Sequence, residues 1–536
     1  MEFSKGLITN VSRVILVFVV TLLLFLHTGK FDFVHYDDQE YVVYNNHMRD
    51  GLTRENVKWA FFNEGYAENW HPLAWTSLMF DVSVVKTFRS GAPFAEDEFL
   101  KSGNYVARVM HLHNVALHAA NAALLMILML VVCRGRVNTI WLVLFALFWS
   151  LHPLRTEVVC WVSERKELVS VFWMLLSLVF YFSRRSYFLA LFFAMLAMMA
   201  KPVAVTLPAV IFAWDWIFDG RPRWRHVLPF VVMSIATCAL TMRAQTGAIE
   251  NGSDLPITSR LSAIFGSPLI YIGQTVFPSG LSMHYGNTDD TLHVALYVAG
   301  GTLLIVIMVL IAIRWLKKRE RIAGIGAFAV AWLYVGLIPM LGIIKVGSQE
   351  HSDRYTYWIG CGGTVCLSLF AVWLKERLPT LLERLKGELP PWRTCRQYLL
   401  AMLCVVVAAY GVAAFWRSQY WRETRILFRD AIPKCWNVDV ANGLALYLVA
   451  SGDRNGRQEA EYWLRGCATK CPNPYTYLKL AAFLVSLPVD TKMEQFSGAP
   501  AYAEAEMMLR QVLSAEPENK KAKELLDTIE EFRKKH

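Results

Sequence analysis

Long apolar segments alternate with short polar loops over the first 415 residues of the chain. Several of them approach the roughly 20 apolar residues that a helix needs to cross the hydrocarbon layer of a membrane. The first runs from Val14 to Leu26. The pattern predicts a helical, polytopic membrane domain over 1–415. From 416 to 536 the apolar positions recur at amphipathic helical spacing among charges, which predicts a separate helical domain.

The apolar segments predict about eleven membrane-spanning helices and one re-entrant segment. After the first helix, the predicted spans cover 107–132, 138–153, 168–183, two short helices split by Pro202 and Pro208, 227–243, 293–313, 323–343, 356–374 and 397–415. Counting the apolar segment 259–278 as a span would move the basic loop 314–321 away from the face of the other basic loops. We therefore expect 259–278 to be re-entrant or interfacial.

The net charge of +10 does not indicate a nucleic-acid-binding protein, because the basic residues lie in short loops between the predicted spans. Such loops are typically cytoplasmic. They contain Arg134 and Arg136, Arg184 and Arg185, Arg221, Arg223 and Arg225, and the basic stretches 314–321 and 375–396. We predict a multi-pass protein of a bacterial inner membrane, with a cytoplasmic amino terminus. The large loop 30–105 and the carboxyl-terminal domain would then be extracytoplasmic, on the periplasmic side.

The carboxyl-terminal domain contains two segments of similar sequence. The segment EAEYWLRGCATKCPN (459–473) recurs 45 residues later as EAEMMLRQVLSAEPEN (504–519). The alanine, leucine and proline positions are typical of a helical-pair repeat, and a tetratricopeptide period fits if Val489–Ser497 is an insertion. An unrelated helical cap is the alternative. Cys435, Cys467 and Cys471 also lie in this domain, where one pair could form a disulfide.

Two adjacent carboxylates follow the first predicted helix, in the segment HYDDQEYVVYNN (His35 to Asn46). Asp37 and Asp38 would lie near the extracytoplasmic interface, where a carboxylate can stay ionised and accept a proton from a hydroxyl group. Adjacent side chains cannot point the same way, so we expect one to face a site and the other to brace the loop. An ordinary charged loop is the alternative interpretation.

Four further polar and aromatic clusters fall on the same predicted face. They are NWHPLAWTSLMFD (69–81), HPLRTEVVCWVSERKE (152–167), AKPVAVTLP (200–208) and KVGSQEHSDRYTY (345–357). Tryptophans at the membrane interface can stack on a sugar or form an aromatic belt without a ligand role. A cation at membrane depth can bind a ligand, extend its charged group to the interface, or pair with a nearby carboxylate. The candidate site residues in these clusters are Trp70, His71, Trp75, Asp81, His152, Arg155, Glu157, Arg165, Lys166, Lys201, Asp353, Arg354 and Tyr355.

A carboxylate base beside several cations suits the transfer of a sugar from a lipid phosphate to a hydroxyl. The base deprotonates the acceptor, and the cations stabilise the departing phosphate. Nucleotide sugars are absent outside the cytoplasm, so the donor is expected to be lipid-linked.

In this order, the segments YDDQEYVVYN, NWHPLAWTSLMFD, HPLRTEVVCWVSERKE, KPVAVTLP, DRYTY and YWRETRILFRDAI resemble the transmembrane and tetratricopeptide-repeat (TMTC) family, especially its short prokaryotic members. The resemblance implies a GT-C glycosyltransferase fold with a polyprenyl-phosphate-sugar donor; the eukaryotic members are protein O-mannosyltransferases. It implies that Asp37 or Asp38 is the catalytic base, with Asp38 preferred. It also implies that Lys201, Arg354, and Arg165 or Lys166 hold the donor phosphate, with the remaining candidates binding substrate.

The predicted function is therefore that of an integral-membrane glycosyltransferase acting on a protein Ser or Thr hydroxyl, with mannose as one candidate sugar. The carboxyl-terminal helices would recruit the acceptor protein, and membrane lipids would surround the spans. The same chemistry on a lipid, glycan or cell-wall acceptor is an alternative, as is a non-catalytic scaffold. A transporter is disfavoured because the charges lie at one face. No cofactor is firmly predicted, although a carboxylate pair could hold a divalent cation.

Overall fold

The computed structural model describes residues 2–63, 65–88, 103–246, 257–285, 291–341, 351–384, 392–434, 438–450, 454–486 and 498–535. The regular elements in these ranges are helices, as the sequence pattern predicts. They form two compact units, Met1–Glu423 and Thr424–His536. The sequence places the division at 415/416, where the apolar run ends, but the last helix of the first unit continues to Ser418 and a short helical turn follows it.

Helices α1 to α16 belong to the first unit. They are α1 Glu2–Phe25, α2 Arg54–Phe62, α3 Pro72–Phe88, α4 Tyr105–Cys133, α5 Thr139–Ser150, α6 Thr156–Cys160, α7 Arg165–Ser183, α8 Tyr187–Met198, α9 Leu207–Phe218, α10 Trp224–Ala244, α11 Ile257–Leu261, α12 Ser267–Val276, α13 Thr291–Lys318, α14 Arg321–Leu337, α15 Thr356–Arg384 and α16 Trp392–Ser418. Short 3-10 and π turns precede several of them.

Eight helices in the described ranges are long and apolar enough to cross a membrane, or nine if the bent pair α5–α6 forms one span. They are α1, α4, α7, α10, α13, α14, α15 and α16. The chain is therefore a multi-pass membrane protein. Helices α8 and α9 are shorter apolar helices at the positions of the two short predicted spans. The total of about eleven spans stays a prediction.

The segment 259–278 forms α11, a π turn at Ser262–Gly266, and α12. Neither helix is long enough to cross a membrane by itself. The segment packs against α13, where a side chain added at Gly301 would overlap Phe265. A re-entrant or interfacial position stays the prediction for this segment.

Two X–Pro sequences interrupt the bundle and position polar residues at helix ends. Proline forces the preceding residue into extended backbone, and both His152 (ψ 137°) and Lys201 (ψ 139°) adopt it. The axis from α5 to α6 consequently bends by 56°. The breaks place Arg155, Glu157 and Lys201 at or near helix termini, where their side chains can meet residues from other helices.

The apolar core of the first unit is formed mainly by α4, α5, α7, α9, α14 and α15. Lipid tails are as apolar as these side chains, so tight packing and polar contacts must hold the helices together. Gly362 on α15 lies so close to Trp332 on α14 that any larger side chain would overlap the indole ring. His118 Nδ1 and the Tyr357 hydroxyl, 2.8 Å apart, form a buried hydrogen bond between α4 and α15.

The second unit is a run of helices in which each packs against the next along the chain. They are α17 Thr424–Lys434, α18 Val438–Ala450, α19 Arg454–Lys470, α20 Pro474–Ser486, α21 Gly498–Ala515 and α22 Lys520–Lys535. The alanine and leucine positions that the two similar segments share are buried. They are Ala460 and Leu464 on α19, and Ala505 and Leu509 on α21.

This packing is compatible with helical-pair repeats, and the tetratricopeptide assignment stays a prediction. The predicted insertion Val489–Ser497 and Cys435 lie outside the described residues. Among the described residues, Cys467 and Cys471 are not joined by a disulfide.

Candidate active site

Asp37 and Asp38 lie in a short helical turn that leads into the π turn Gln39–Val43. Successive residues of a helical turn point about 100° apart, and the two carboxylates accordingly have different surroundings. The Asp37 side chain is 40% exposed, whereas Asp38 is fully buried. One carboxylate is therefore partly exposed and the other braces the fold. That the exposed carboxylate faces a site stays a prediction.

Asp38 anchors the loop after α1 to the turn before α7. Its Oδ1 accepts hydrogen bonds from the Ser163 backbone N–H (2.9 Å) and hydroxyl (2.5 Å), and its Oδ2 accepts one from the Val34 N–H (3.1 Å). Because these donors occupy both oxygens and solvent is excluded, Asp38 acts here as a positioning residue. The preference for Asp38 as the catalytic base does not fit this geometry.

Asp37 lies at the edge of a charged group that we call the Asp37 cluster: Asp37, Glu157, Glu164, Lys166, Glu167, Lys201 and Arg354. Lys166 Nζ lies 3.6 Å from Asp37 Oδ2 and 3.4 Å from Glu164 Oε1. The same ammonium lies 4.6 Å from the centre of the Tyr41 ring. Lys166 therefore links the exposed carboxylate to the buried part of the cluster.

Glu164 is the centre of the Asp37 cluster. Its buried carboxylate lies 3.4 Å from Lys166 Nζ, 3.0 Å from Lys201 Nζ and 3.7 Å from Arg354 Nε. Lys201 also pairs with Glu167 at 2.8 Å, and Arg354 pairs with Glu157 at 2.6 Å. The three cations are between 11% and 15% exposed. They are thus held by buried carboxylates while each retains some access to a ligand.

Arg165 is not part of this cluster. It lies next to Lys166 on α7, so its side chain leaves the helix about 100° away. Arg165 instead forms an ion pair with Asp81 at 2.8 Å and donates to the Met110 carbonyl at 2.7 Å. Asp81 also contacts His113 Nδ1 at 2.6 Å. Of the two alternatives for the donor phosphate, the structure brings Lys166, and not Arg165, to the other cations.

The predicted aromatic residues form a packed group rather than an open sugar platform. Trp75 is fully buried against Tyr41, and His71 lies beside both rings with centroids 4.7 and 5.4 Å away. Burial, and then the charges of Lys166 and Lys201, hold the pKa of His71 well below its ordinary value. Trp70 is partly buried and donates its indole N–H to the Phe61 carbonyl at 3.1 Å.

The remaining candidates surround the bend between α5 and α6. Arg155 is buried and donates to the Thr356 carbonyl (2.8 Å) and hydroxyl (3.0 Å). His152 Nε2 lies 3.1 Å from the Thr275 carbonyl oxygen. Asp353 accepts a hydrogen bond from the Tyr285 hydroxyl at 2.5 Å. The Tyr355 ring lies 5.1 Å from the Arg354 guanidinium. These contacts stabilise the surroundings of Arg354 and Glu157.

An apolar cavity of about 770 Å³ lies between α5, α12, α13, α14 and α15. One end is lined by His152, Arg155 and Thr356. The rest is lined mainly by apolar side chains, with Arg314, Thr275 and Thr364 among them. Arg155 and Thr356 each lie two positions from a member of the Asp37 cluster, Glu157 and Arg354. One end of the cavity therefore lies close in the chain to two members of the cluster, and the cavity continues along the membrane-spanning helices.

Sequence reasoning placed Glu164 among the charged residues of its segment but gave it no role, and it missed Glu167 and the contact of Tyr41 with Lys166. Lys201 has no acidic neighbour in its own segment. Its partners lie in the turn before α7 (Glu164) and in the first turn of α7 (Glu167), which the sequence alone does not place beside it. The three-residue spacing of Glu164 and Glu167, which places both carboxylates on one side of the chain, is the signal that could have indicated a shared cation.

Within the described ranges, no group of three or more His, Cys, Asp or Glu side chains is arranged to hold a metal ion. The two carboxylates of Asp37 and Asp38 do not converge, because Asp38 is directed to Ser163 and Val34. The described residues do not fit a divalent cation at this pair.

Comparisons with known proteins leave the family open. No family model matches the chain, and no curated protein matches it. One solved structure that resembles it is the apo crystal structure of the Archaeoglobus fulgidus oligosaccharyltransferase, with 12% identity and a TM-score of 0.38. The likeness covers 84% of this chain and 59% of that one. The resemblance to the transmembrane and tetratricopeptide-repeat family and the GT-C fold stay predictions, and the site itself carries the functional argument.

The burial of Asp38 predicts a pH-dependent stability. Burial raises the pKa of Asp38 to about 7, although the hydrogen bonds from Ser163 and Val34 oppose the shift. Between about pH 4 and 7 the native state holds a proton that the unfolded chain has lost, so this contribution to stability falls as the pH rises. We expect the melting temperature of the wild type to fall by a few degrees relative to Asp38→Asn between pH 5 and 8. A difference in melting temperature between the two proteins that stays constant from pH 5 to 8 would contradict this expectation.

Proposed function

We propose that this protein is a membrane glycosyltransferase that moves a sugar from a polyprenyl-phosphate donor to a hydroxyl group at the extracytoplasmic face. One observation carries the proposal: the partly exposed carboxylate of Asp37 lies beside Lys166, within a cluster whose other cations are Lys201 and Arg354. A base and a group of cations at the same helix ends are what such a transfer requires.

In the proposed reaction Asp37 removes the proton from the acceptor hydroxyl. The acceptor oxygen attacks the anomeric carbon of the sugar as the bond from that carbon to the phosphate oxygen breaks. Polyprenyl phosphate leaves with the electron pair, and Lys166, Lys201 and Arg354 stabilise its charge. The products are a new glycosidic bond and polyprenyl phosphate.

The apolar cavity supports a lipid-linked donor. Arg155 and Thr356, each two positions from a member of the Asp37 cluster, line one end of it, and its mainly apolar lining suits a prenyl chain. In this arrangement the charged head of the donor lies in the Asp37 cluster, and the tail lies between the helices. A soluble nucleotide sugar has no apolar chain to occupy this cavity.

A protein Ser or Thr hydroxyl is the proposed acceptor, with the second unit recruiting the acceptor protein. Glycoproteomics of exported proteins in cells with and without this chain tests the acceptor. Unchanged protein glycans, together with transfer to a purified lipid or glycan, would assign the same chemistry to that other acceptor.

The donor site predicts a specific kinetic effect for Arg354→Lys. Lysine keeps the positive charge next to Glu157 but loses the planar fork of donors that suits phosphate. We expect the KM for the polyprenyl-phosphate sugar to rise by about tenfold, the usual consequence of losing one charge-assisted hydrogen bond. A transfer assay with radiolabelled donor measures it, with Arg185→Lys as the matched control. An unchanged KM would remove Arg354 from the donor site.

A further inference from the structure

A second cavity, which has a polar lining, lies at the opposite end of the bundle from Asp37. Helix α4 begins next to the loop that follows α1, where the Gly103 N–H donates to the Asp32 carboxylate at 2.7 Å. The helix ends at Cys133, and the cavity of about 310 Å³ lies just beyond it. It is bounded by the last turn of α9, by the turn between α13 and α14, and by Leu369 on α15.

Four arginines line this cavity, which we call the arginine pocket: Arg134, Arg136, Arg319 and Arg321. Arg321 pairs with Glu376. Among the residues that the structure describes, no carboxylate lies within 4.0 Å of the other three guanidinium groups. The ammonium of Lys375 donates to the Arg136 carbonyl at 2.9 Å and adds a further positive charge at the rim.

Asp219, the acidic residue that lines the arginine pocket among the described residues, is already engaged. Its Oδ2 lies 3.0 Å from Arg184 and 3.5 Å from Arg223, and neither of these arginines lines the pocket. The charge that faces the pocket from the described residues is therefore strongly positive. A cavity of this kind favours an anion, because several arginines close together repel one another unless a negative group lies between them.

The floor of the arginine pocket is apolar. Trp214 and Trp315 are 7% and 5% exposed, and they line the pocket together with Phe218 and Leu369. The Arg319 guanidinium lies 4.4 Å from the centre of the Trp315 ring. A small hydrated anion uses only the rim of such a cavity, whereas an amphipathic anion uses both the rim and the floor.

We propose that the arginine pocket binds the phosphate headgroup of an anionic glycerophospholipid. The pocket lies at the ends of membrane-spanning helices, where headgroups reside. Basic pockets between such helices bind anionic headgroups, and on the predicted topology this is the cytoplasmic face. The glycerol and the first acyl carbons lie against Trp315 and Phe218. A soluble phosphate compound shares the headgroup chemistry, so the test separates the two sources. This site is independent of the proposed sugar transfer.

The test uses the purified, delipidated full-length protein in a neutral detergent, titrated with phosphatidylglycerol or phosphatidylcholine and analysed by native mass spectrometry. We expect phosphatidylglycerol to bind at least tenfold more tightly than phosphatidylcholine. In the double variant Arg134→Gln/Arg319→Gln, binding of phosphatidylglycerol should weaken by about 25-fold, at roughly fivefold for each arginine. Both side chains are exposed, so the fold should survive, and a single symmetric size-exclusion peak checks this.

The matched control is Arg185→Gln/Arg225→Gln, which removes the same charge from exposed positions outside the pocket. It should bind phosphatidylglycerol like the wild type. An equal loss in the control would assign the effect to general surface charge and overturn the site. Equal binding of the two lipids, or an unchanged double variant, would overturn it as well. If millimolar inorganic phosphate displaces phosphatidylglycerol completely, the occupant is a soluble anion and the lipid proposal fails.

Discussion

Replacing Asp37 with asparagine is expected to lower the rate of sugar transfer by about 10²–10⁴-fold, the usual contribution of a general base. Asparagine keeps the size of the side chain but cannot accept the acceptor's proton. Asp37 is 40% exposed, and among the described residues its ion-pair partner is Lys166, at 3.6 Å. The variant should therefore fold normally. Transfer from a polyprenyl-phosphate-linked sugar, measured alongside the melting temperature, checks both statements.

Asp38→Asn provides the contrast. The amide nitrogen that this substitution introduces would meet the Val34 or Ser163 N–H as donor against donor, which costs about 1–3 kcal/mol when buried. We expect this variant to lose stability and to keep most of its activity per folded molecule. The exposed Glu55→Gln serves as the control for removing a negative charge from the same loop. If Asp37→Asn transfers sugar at the wild-type rate, Asp37 is not the base, and a selective loss in Asp38→Asn would give the role to Asp38.

Replacing Arg165 with methionine should destabilise the first unit by about 3–5 kcal/mol, the cost of leaving one partner of a buried ion pair alone. Arg165 is fully buried, and Asp81 beside it is 1% exposed. The thermal transition in detergent should fall markedly. The double variant Arg165→Met/Asp81→Asn should recover part of the loss, because it removes the stranded charge.

The same variant tests the placement of Arg165 outside the donor site. Molecules that remain folded should bind the donor with an unchanged KM. Arg185→Met, an exposed arginine just after the end of α7, controls for the loss of one positive charge. A normal melting temperature combined with a raised donor KM would return Arg165 to the donor phosphate.

The membrane architecture was predictable because the apolar segments are long. Helices α4, α13 and α14 begin and end within a few residues of the predicted spans. Pro202 also predicted the break after Lys201, because proline disfavours helical backbone at the residue before it. These features depend on local sequence, which is why they could be predicted. The bend after His152 was not predicted, although Pro153 gives the same local signal.

The details of the site depend on distant contacts and were not predictable in the same way. Asp37 and Asp38 are equivalent in the sequence. The hydrogen bonds from Val34 and from Ser163, which is 125 positions away, distinguish Asp38 as the buried partner. The choice between Arg165 and Lys166 needed the direction in which each leaves α7. Trp75 and His71 suited an interfacial belt by composition, yet the packing of the loop around Tyr41 buries them.

The carboxylates around Glu164 bear on how the proposed enzyme completes a catalytic cycle. Lys166, Lys201 and Arg354 are already paired with Glu157, Glu164 and Glu167, so an incoming phosphate exchanges partners with them rather than filling an empty positive site. Each bond to the phosphate is gained at the expense of a bond to a glutamate. If polyprenyl phosphate is the product, as proposed, those glutamates would compete for the same cations and limit product inhibition. A cluster built from cations alone would hold the spent carrier lipid far longer.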